Sequence, residues 1–168
     1  MSEAPPTTSE APTSEAPGPL VLLLSGPNLN LLGERQPAVY GTATLADHVA
    51  TARAAAHAHG LSLEHFQTNH EGELVDAIHR ARDRAAAIVV NPGAFTHYAW
   101  SIHDALAAFD GPVVELHLSN PTGREAWRHT SVVSPVAEGT IAGFGGHGYR
   151  LAIDAVAELL AAPDALDS

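Results

Sequence analysis

LVLLLSGPNLNLLGERQPAVYGTATL, residues 20 to 45, contains a complete passage from strand to helix. Leu20 to Leu24 is an unbroken apolar run, the pattern of a strand buried on both faces. Thr44 stands at the N-cap of a helix whose Leu45, Val49, Ala52 and Ala56 share one face, and Gly60 ends it. The connection between them, SGPNLNLLGERQPAVYG from 25 to 41, is long for an α/β unit, and long loops in compact domains tend to be functional. Asn28 lies just past the strand end, and Arg35 and Tyr40 follow within the same loop. A phenol titrates near 10, so a phenolate working near neutral pH needs roughly 4 kcal/mol of selective stabilisation. One guanidinium at about 4 Å supplies energy of that order at an effective dielectric near 20. The alternative is a solvated loop whose tyrosine only packs.

The same alternation continues outward. Further strands are predicted at Leu61 to Gln67, Ala86 to Asn91, Val113 to Leu118 and Thr140 to Phe144. Helices are predicted over Glu71 to Ala85, Tyr98 to Phe109 and His147 to Ala161, with one helical turn near Arg124 to Trp127. Inward positions are Leu74, Ile78 and Ala81, then Ala99, Ile102, Leu106 and Phe109, then Ala152, Ala155, Val156 and Leu159. Five strands interleaved with helices predict a doubly wound five-stranded parallel sheet with helices on both faces. The single α/β domain is expected over residues 20–161. Residues 1–19 repeat SEAP from Ser2, Ser9 and Ser14 and read as a disordered tail by composition, and 162–168 as a C-terminal tail.

Composition narrows the chemistry. The net charge is -11 and all eight basic residues are arginine, which argues against a nucleic-acid groove or an anionic membrane surface as partner. There is no cysteine, hence no disulfide, thiolate metal site or cysteine nucleophile. There is also no lysine, so no side-chain amine can form an imine with a carbonyl substrate. The start lacks the basic and apolar regions of a signal peptide, and no apolar run is long enough to cross a bilayer; a cytoplasmic location is the default expectation.

In doubly wound sheets ligands bind beyond the carboxyl ends of the strands, where strand order reverses. The residues at those ends form a consistent set: Asn28, Arg35 and Tyr40 after the first strand, Asn91 and His97 after the third, and Glu115, His117, Leu118, Ser119 and Asn120 at the fourth, with Arg124 and Arg128 beyond. Glu115 and His117 are two apart on a strand and face the same way. A carboxylate so placed would fix the imidazole tautomer and favour its protonated form, making His117 a proton donor; the competing reading is a surface histidine beside a surface glutamate. Gly143 to Gly148, GFGGHG, matches a dinucleotide fingerprint, but no later strand follows to carry the ribose-binding acid. A tight turn with close packing is the better reading. The eleven histidines show no HExxH or comparable i, i+4 ligand pair, and their excess reads as polar surface.

Five segments in order carry a family resemblance: GPNLNLLGERQPAVYG, NHEGELVDAIH at Asn69 to His79, NPGAFTH at Asn91 to His97, VVELHLSN at Val113 to Asn120, and REAWRHTS at Arg124 to Ser131. From about Leu20 to Leu160 the chain resembles the type II 3-dehydroquinate dehydratases, the flavodoxin-like dehydroquinases of the shikimate and quinate pathways. The resemblance implies loss of water from 3-dehydroquinate by anti elimination through an enolate, giving 3-dehydroshikimate, with no metal or organic cofactor. It implies Tyr40 as the base, Arg35 keeping it ionised, Asn28 holding a water at the enolate oxygen, and His117, positioned by Glu115, protonating the departing hydroxyl. Asn91, His97 and Arg128 would bind substrate hydroxyls, the backbone at Leu118 and Ser119 would hold the carboxylate, and Arg124 would belong to the anion-recognition region. The family assembles as trimers, commonly four in a dodecamer, and the aspartate matching Asp104 reaches a neighbouring subunit's pocket. Absence of lysine agrees, since the unrelated type I enzymes work through an imine.

Four positions depart from the family's usual pattern: Ser25 for asparagine, Tyr98 for a small hydroxyl residue, Pro121-Thr122 for Ile/Val-His, and Thr130 for a second histidine. Tyr98 and Pro121 are expected at the pocket rim. Two other classes stand beside the enzyme: a flavodoxin-like binding module for a phosphorylated ligand or flavin, and a non-catalytic assembly protein. The loop after the first strand lacks the Ser/Thr/Gly-rich phosphate cradle that the former uses.

Overall fold

The computed structural model describes residues 17–34 and 37–162, with the backbone alone of Pro37 and Tyr40. Arg35 and most of both expected tails lie outside the described residues. The chain orders as β1 (Leu20–Ser25), a short helix α1 (Pro37–Tyr40), α2 (Leu45–Ala58), β2 (Ser62–Gln67), α3 (Glu71–Ala81), β3 (Ala87–Asn91), α4 (Trp100–Ala107), β4 (Val113–His117), β5 (Gly139–Ala142) and α5 (His147–Ala161). The strands form one sheet in the order β2-β1-β3-β4-β5 with every described pairing parallel.

Strand alternation assigns each apolar residue to a layer. Val21, Leu23, Ala87, Val89, Val114 and Leu116 face α2 and α5, where they meet Val49, Ala52, Ala56, Ala152, Ile153 and Val156. Leu22, Leu24, Ile88, Val90 and Val113 face α3 and α4, against Leu74, Ile78, Ala99, Ile102 and Leu106. Both faces of the sheet are thus buried, which is why its strands read as continuous apolar runs. α2 starts with a capping box in which Thr44 Oγ1 accepts from the Asp47 N–H at 3.2 Å and Asp47 accepts from the Thr44 N–H at 2.8 Å.

β5 is Gly139–Ala142, two residues short of the expected end at Phe144, and three further departures from the sequence expectations bear on packing. α3 stops at Ala81, four residues early, because Arg84 and Ala85 turn back onto the Ala81 carbonyl to feed β3. α4 begins at Trp100 because residues 93–97 form a 3-10 turn that fills the preceding connection. The histidine excess is not all surface. His48 is buried and stacks on buried Tyr149 at 5.0 Å between centroids with the rings 5° from parallel. Burial pushes His48 down and pushes the Tyr149 phenol up to about 12, the latter against the opposing influence of Asn91 and Ser25. Gly146 makes this stack possible, since a Cβ there would lie 2.6 Å from the His48 ring. The GFGGHG segment accordingly serves packing.

The strand order reverses between β1 and β3, so the loops leaving their carboxyl ends diverge and open a crevice. Gly26 permits the close approach of the two loops at its floor: its N–H donates to the Asn91 carbonyl at 2.8 Å, and a Cβ would fall 2.4 Å from the Pro92 oxygen.

Candidate active site

That crevice is a cavity bordered by the loop after β1 (Pro27 to Leu32), the loop after β3 (Asn91 to His97) and the segment after β4 (His117 to Arg128). Eight of the expected residues line it: Asn28, Asn91, His97, His117, Leu118, Ser119, Arg124 and Arg128. Glu115 lies behind His117. Asp104 is exposed on α4 and does not border the cavity. Arg35 falls outside the described residues and only the backbone of Tyr40 is described.

Glu115 and His117 sit on the face of β4 that turns toward α3 and α4, and both are buried, which excludes the surface-pair reading. The His117 Nε2–H donates to Glu115 Oε1 at 2.8 Å. Four hydroxyls converge on the same carboxylate: Thr96, Ser131 at 3.0 and 3.1 Å, Ser134 at 2.5 Å and Thr140 at 3.2 Å. A carboxyl group with no solvent access is tolerable only when its oxygens are satisfied in this way. Burial pushes the Glu115 acid up, but the hydrogen bond and charge of His117, with Ser134 and Thr96, outweigh it and hold the group at about 2. With Nε2 committed to the carboxylate, Nδ1 is the imidazole nitrogen left to exchange a proton with a ligand.

This carboxylate predicts an acid-dependent loss of stability. The folded value is depressed from 4.5 to about 2, so the unfolded chain takes up the proton first as pH falls. The contribution is complete above about pH 4.5 and is lost toward pH 2; two to three pKa units correspond to about 3 kcal/mol. Urea midpoints measured from pH 6 to 2.5 should fall more steeply for the unaltered chain than for Glu115→Gln. Equal slopes would show that Glu115 titrates alike in both states.

The remaining side chains are held from behind. Asn28 adopts φ 66°, uncommon for a residue with a Cβ, and its N–H donates to Asn69 Oδ1 at 2.9 Å. Gln67 braces the same loop, donating to the Gly26 carbonyl at 3.3 Å and to Asn69 Oδ1 at 3.2 Å. Asn91 ends β3; its Oδ1 accepts the Gly93 N–H at 3.3 Å, while its buried Nδ2 has no partner among the described residues. His97 Nδ1 lies 2.7 Å from the Thr130 carbonyl, which can only accept, so Nδ1 carries a proton and donates it there. Arg124 approaches Ser119 Oγ at 3.3 Å, and Arg128 Nε donates to Glu125 at 2.8 Å. Two guanidiniums on one cavity of a chain with net charge -11 suit an anionic ligand.

The departures from family pattern resolve differently. Pro121 borders the cavity, whereas Tyr98, 58% exposed, packs edge-on against Phe95 and does not line it. Ser25 is buried and bonds His65 Nε2 at 3.0 Å. Sequence reading did not single out the hydroxyls around Glu115, nor Asn69 and Gln67 behind Asn28. The signal available was polar residues inside otherwise apolar stretches, such as Ser131 and Ser134 flanking Val132-Val133. Among the described residues no three His, Asp or Glu side chains gather as a metal site, and no helix is long and apolar enough to cross a membrane.

A five-stranded parallel sheet in this order, with a buried Glu–His pair and two arginines beside a crevice at its strand ends, defines a flavodoxin-like α/β protein with a site suited to a small anion. Residues 19–157 match the family described as Dehydroquinase class II. The chain is 58% identical over 142 residues to 3-dehydroquinate dehydratase 2 of Pseudomonas putida, covering 84% of this chain and 95% of that protein. It is 52% identical to the catabolic 3-dehydroquinase of Aspergillus clavatus, over 83% of this chain and 93% of that one. The crystal structure of type II dehydroquinase from Propionibacterium acnes superposes with a TM-score of 0.79 at 44% identity, covering 83% and 96% of the two chains. The chain belongs to the class II dehydroquinase family.

Proposed function

We propose that this chain dehydrates 3-dehydroquinate to 3-dehydroshikimate, a hydro-lyase reaction proceeding through an enolate. The observation that carries the reading is the buried Glu115–His117 pair opening onto a cavity bordered by Arg124 and Arg128. It supplies an oriented proton donor beside groups that attract a carboxylate.

The Tyr40 phenolate, kept ionised by Arg35, takes the proton from the carbon beside the ketone. The electron pair moves onto the carbonyl oxygen, where Asn28 holds a water that stabilises the charge. As the enolate collapses, the hydroxyl two carbons from the ketone leaves with a proton from His117, and water departs. Asn91, His97 and Arg128 orient the substrate hydroxyls. Backbone at Leu118 and Ser119, with Arg124 beside it, receives the carboxylate. Base and acid come from different elements, Tyr40 from α1 and His117 from β4, as an elimination with distinct acid and base requires.

Asp104, exposed on α4 and outside the cavity, suits service to a neighbouring subunit's site in a trimer, itself the unit of a dodecamer. Tyr40→Phe and Asp104→Asn are each expected to be severely impaired alone and to regain activity when mixed and reassembled. Verified hybrid oligomers that stay inactive would place Asp104 outside the reaction or within its own subunit.

The direct test is ultraviolet absorbance of the conjugated enone when purified protein meets 3-dehydroquinate, with and without a chelator. Signal in both conditions supports a metal-independent dehydratase. A correctly folded protein that gives none refutes the reading, and one silenced by chelator refutes metal independence.

A further inference from the structure

Trp127 is 54% exposed and does not line the cavity, yet it touches two residues that do. The Arg128 guanidinium carbon stands 3.9 Å above the indole, within cation–π range. The His97 ring meets the same side chain edge to face, 5.2 Å between centroids at 83°. The three come from two places: His97 closes the 3-10 turn after β3, whereas Trp127 and Arg128 belong to the 3-10 turn Ala126–Arg128 beyond β4.

We infer that Trp127 is a positioning residue for ligand binding: from outside the cavity its indole fixes the Arg128 guanidinium and the His97 imidazole in their binding orientations. The other supports of these two groups leave just that freedom to remove. Arg128 is tied only at Nε, by Glu125, and its two terminal nitrogens make no hydrogen bond among the described residues. A guanidinium held at Nε alone can swing about its side-chain torsions, and ordering it on binding costs rotamer entropy. The indole face restricts that swing while leaving both terminal nitrogens available. His97 is tied at Nδ1 by the Thr130 carbonyl, which permits rotation about that hydrogen bond; the indole contact opposes it. Trp127 therefore lowers the ordering cost of binding without touching the ligand.

This inference rests on the dehydratase reading, and the test separates the two. Steady-state kinetics on 3-dehydroquinate should show Trp127→Ala raising KM about tenfold, as expected for loss of a partly desolvated cation–π contact, with kcat within about threefold. Trp127→Phe, which keeps an aromatic face, should bring KM back to within about threefold. Trp127→Leu, which keeps bulk without a π system, should not. Thermal melts of all variants establish that they fold. An active parent enzyme with unchanged KM in folded Trp127→Ala, or equal rescue by Leu and Phe, overturns the inference alone. A folded parent with no activity on 3-dehydroquinate overturns the function on which it rests.

Discussion

Tyr40→Phe should lower turnover by at least a hundredfold, and toward ten-thousandfold, the range spanned by loss of a positioned general base. The change removes one oxygen from the side chain and keeps the ring, so folding and ligand affinity should hold. Activity within about tenfold of the parent, only about 1.4 kcal/mol of barrier, would exclude the phenol as base. Arg35 provides an internal check on the same idea. Without its charge the phenol ionises at higher pH, so in Arg35→Ala the limb on which activity rises with pH should move upward. Turnover near neutrality falls accordingly. A variant of Arg35 with parental turnover and pH profile would remove the electrostatic argument for Tyr40.

The second large effect belongs to β4. His117→Asn deletes the proposed proton donor, and turnover should fall by about a hundredfold to ten-thousandfold. Glu115→Gln keeps the shape of its partner but replaces an acceptor-only carboxylate with an amide. Its NH2 cannot accept from the hydroxyls of Thr96, Ser131, Ser134 and Thr140 or from His117 as both carboxylate oxygens do. Because Glu115 acts through His117, the double variant should be little slower than His117→Asn alone, a non-additivity characteristic of groups working as a unit. Losses that multiply would show that Glu115 serves catalysis by another route. A His117→Asn enzyme of near-parental kcat would move the acid elsewhere in the cavity.

Much of this was readable from residue order. The apolar runs at Leu20–Leu24 and Val113-Val114 are dense enough in branched residues to announce strands buried on both faces, and helix alternation implies their parallel pairing. Spacing of two put Glu115 and His117 on one face whatever the rest of the chain does. Helix boundaries were less legible: Tyr98 and Ala99 carry helical periodicity but belong to the connection before α4, since packing of Phe95 and the 3-10 turn decides where the helix starts. His48 carries no mark of burial in its own neighbourhood. Its place beneath α5 depends on Tyr149 and on the missing Cβ of Gly146, about a hundred residues away.

By itself, then, the sequence determined the layer architecture, the family motifs and the local direction of each side chain, because periods of two and 3.6 are properties of the backbone within one element. Tertiary structure alone decided what gathers at a point: the hydroxyls of Thr96, Ser131, Ser134 and Thr140 around one carboxylate, Asn69 against the left-handed backbone of Asn28, and Trp127 between His97 and Arg128. Those contacts join elements whose separation along the chain carries no distance information until the sheet order brings their ends together. A short polar side chain then becomes part of the site only because a buried charge must be satisfied where it lies.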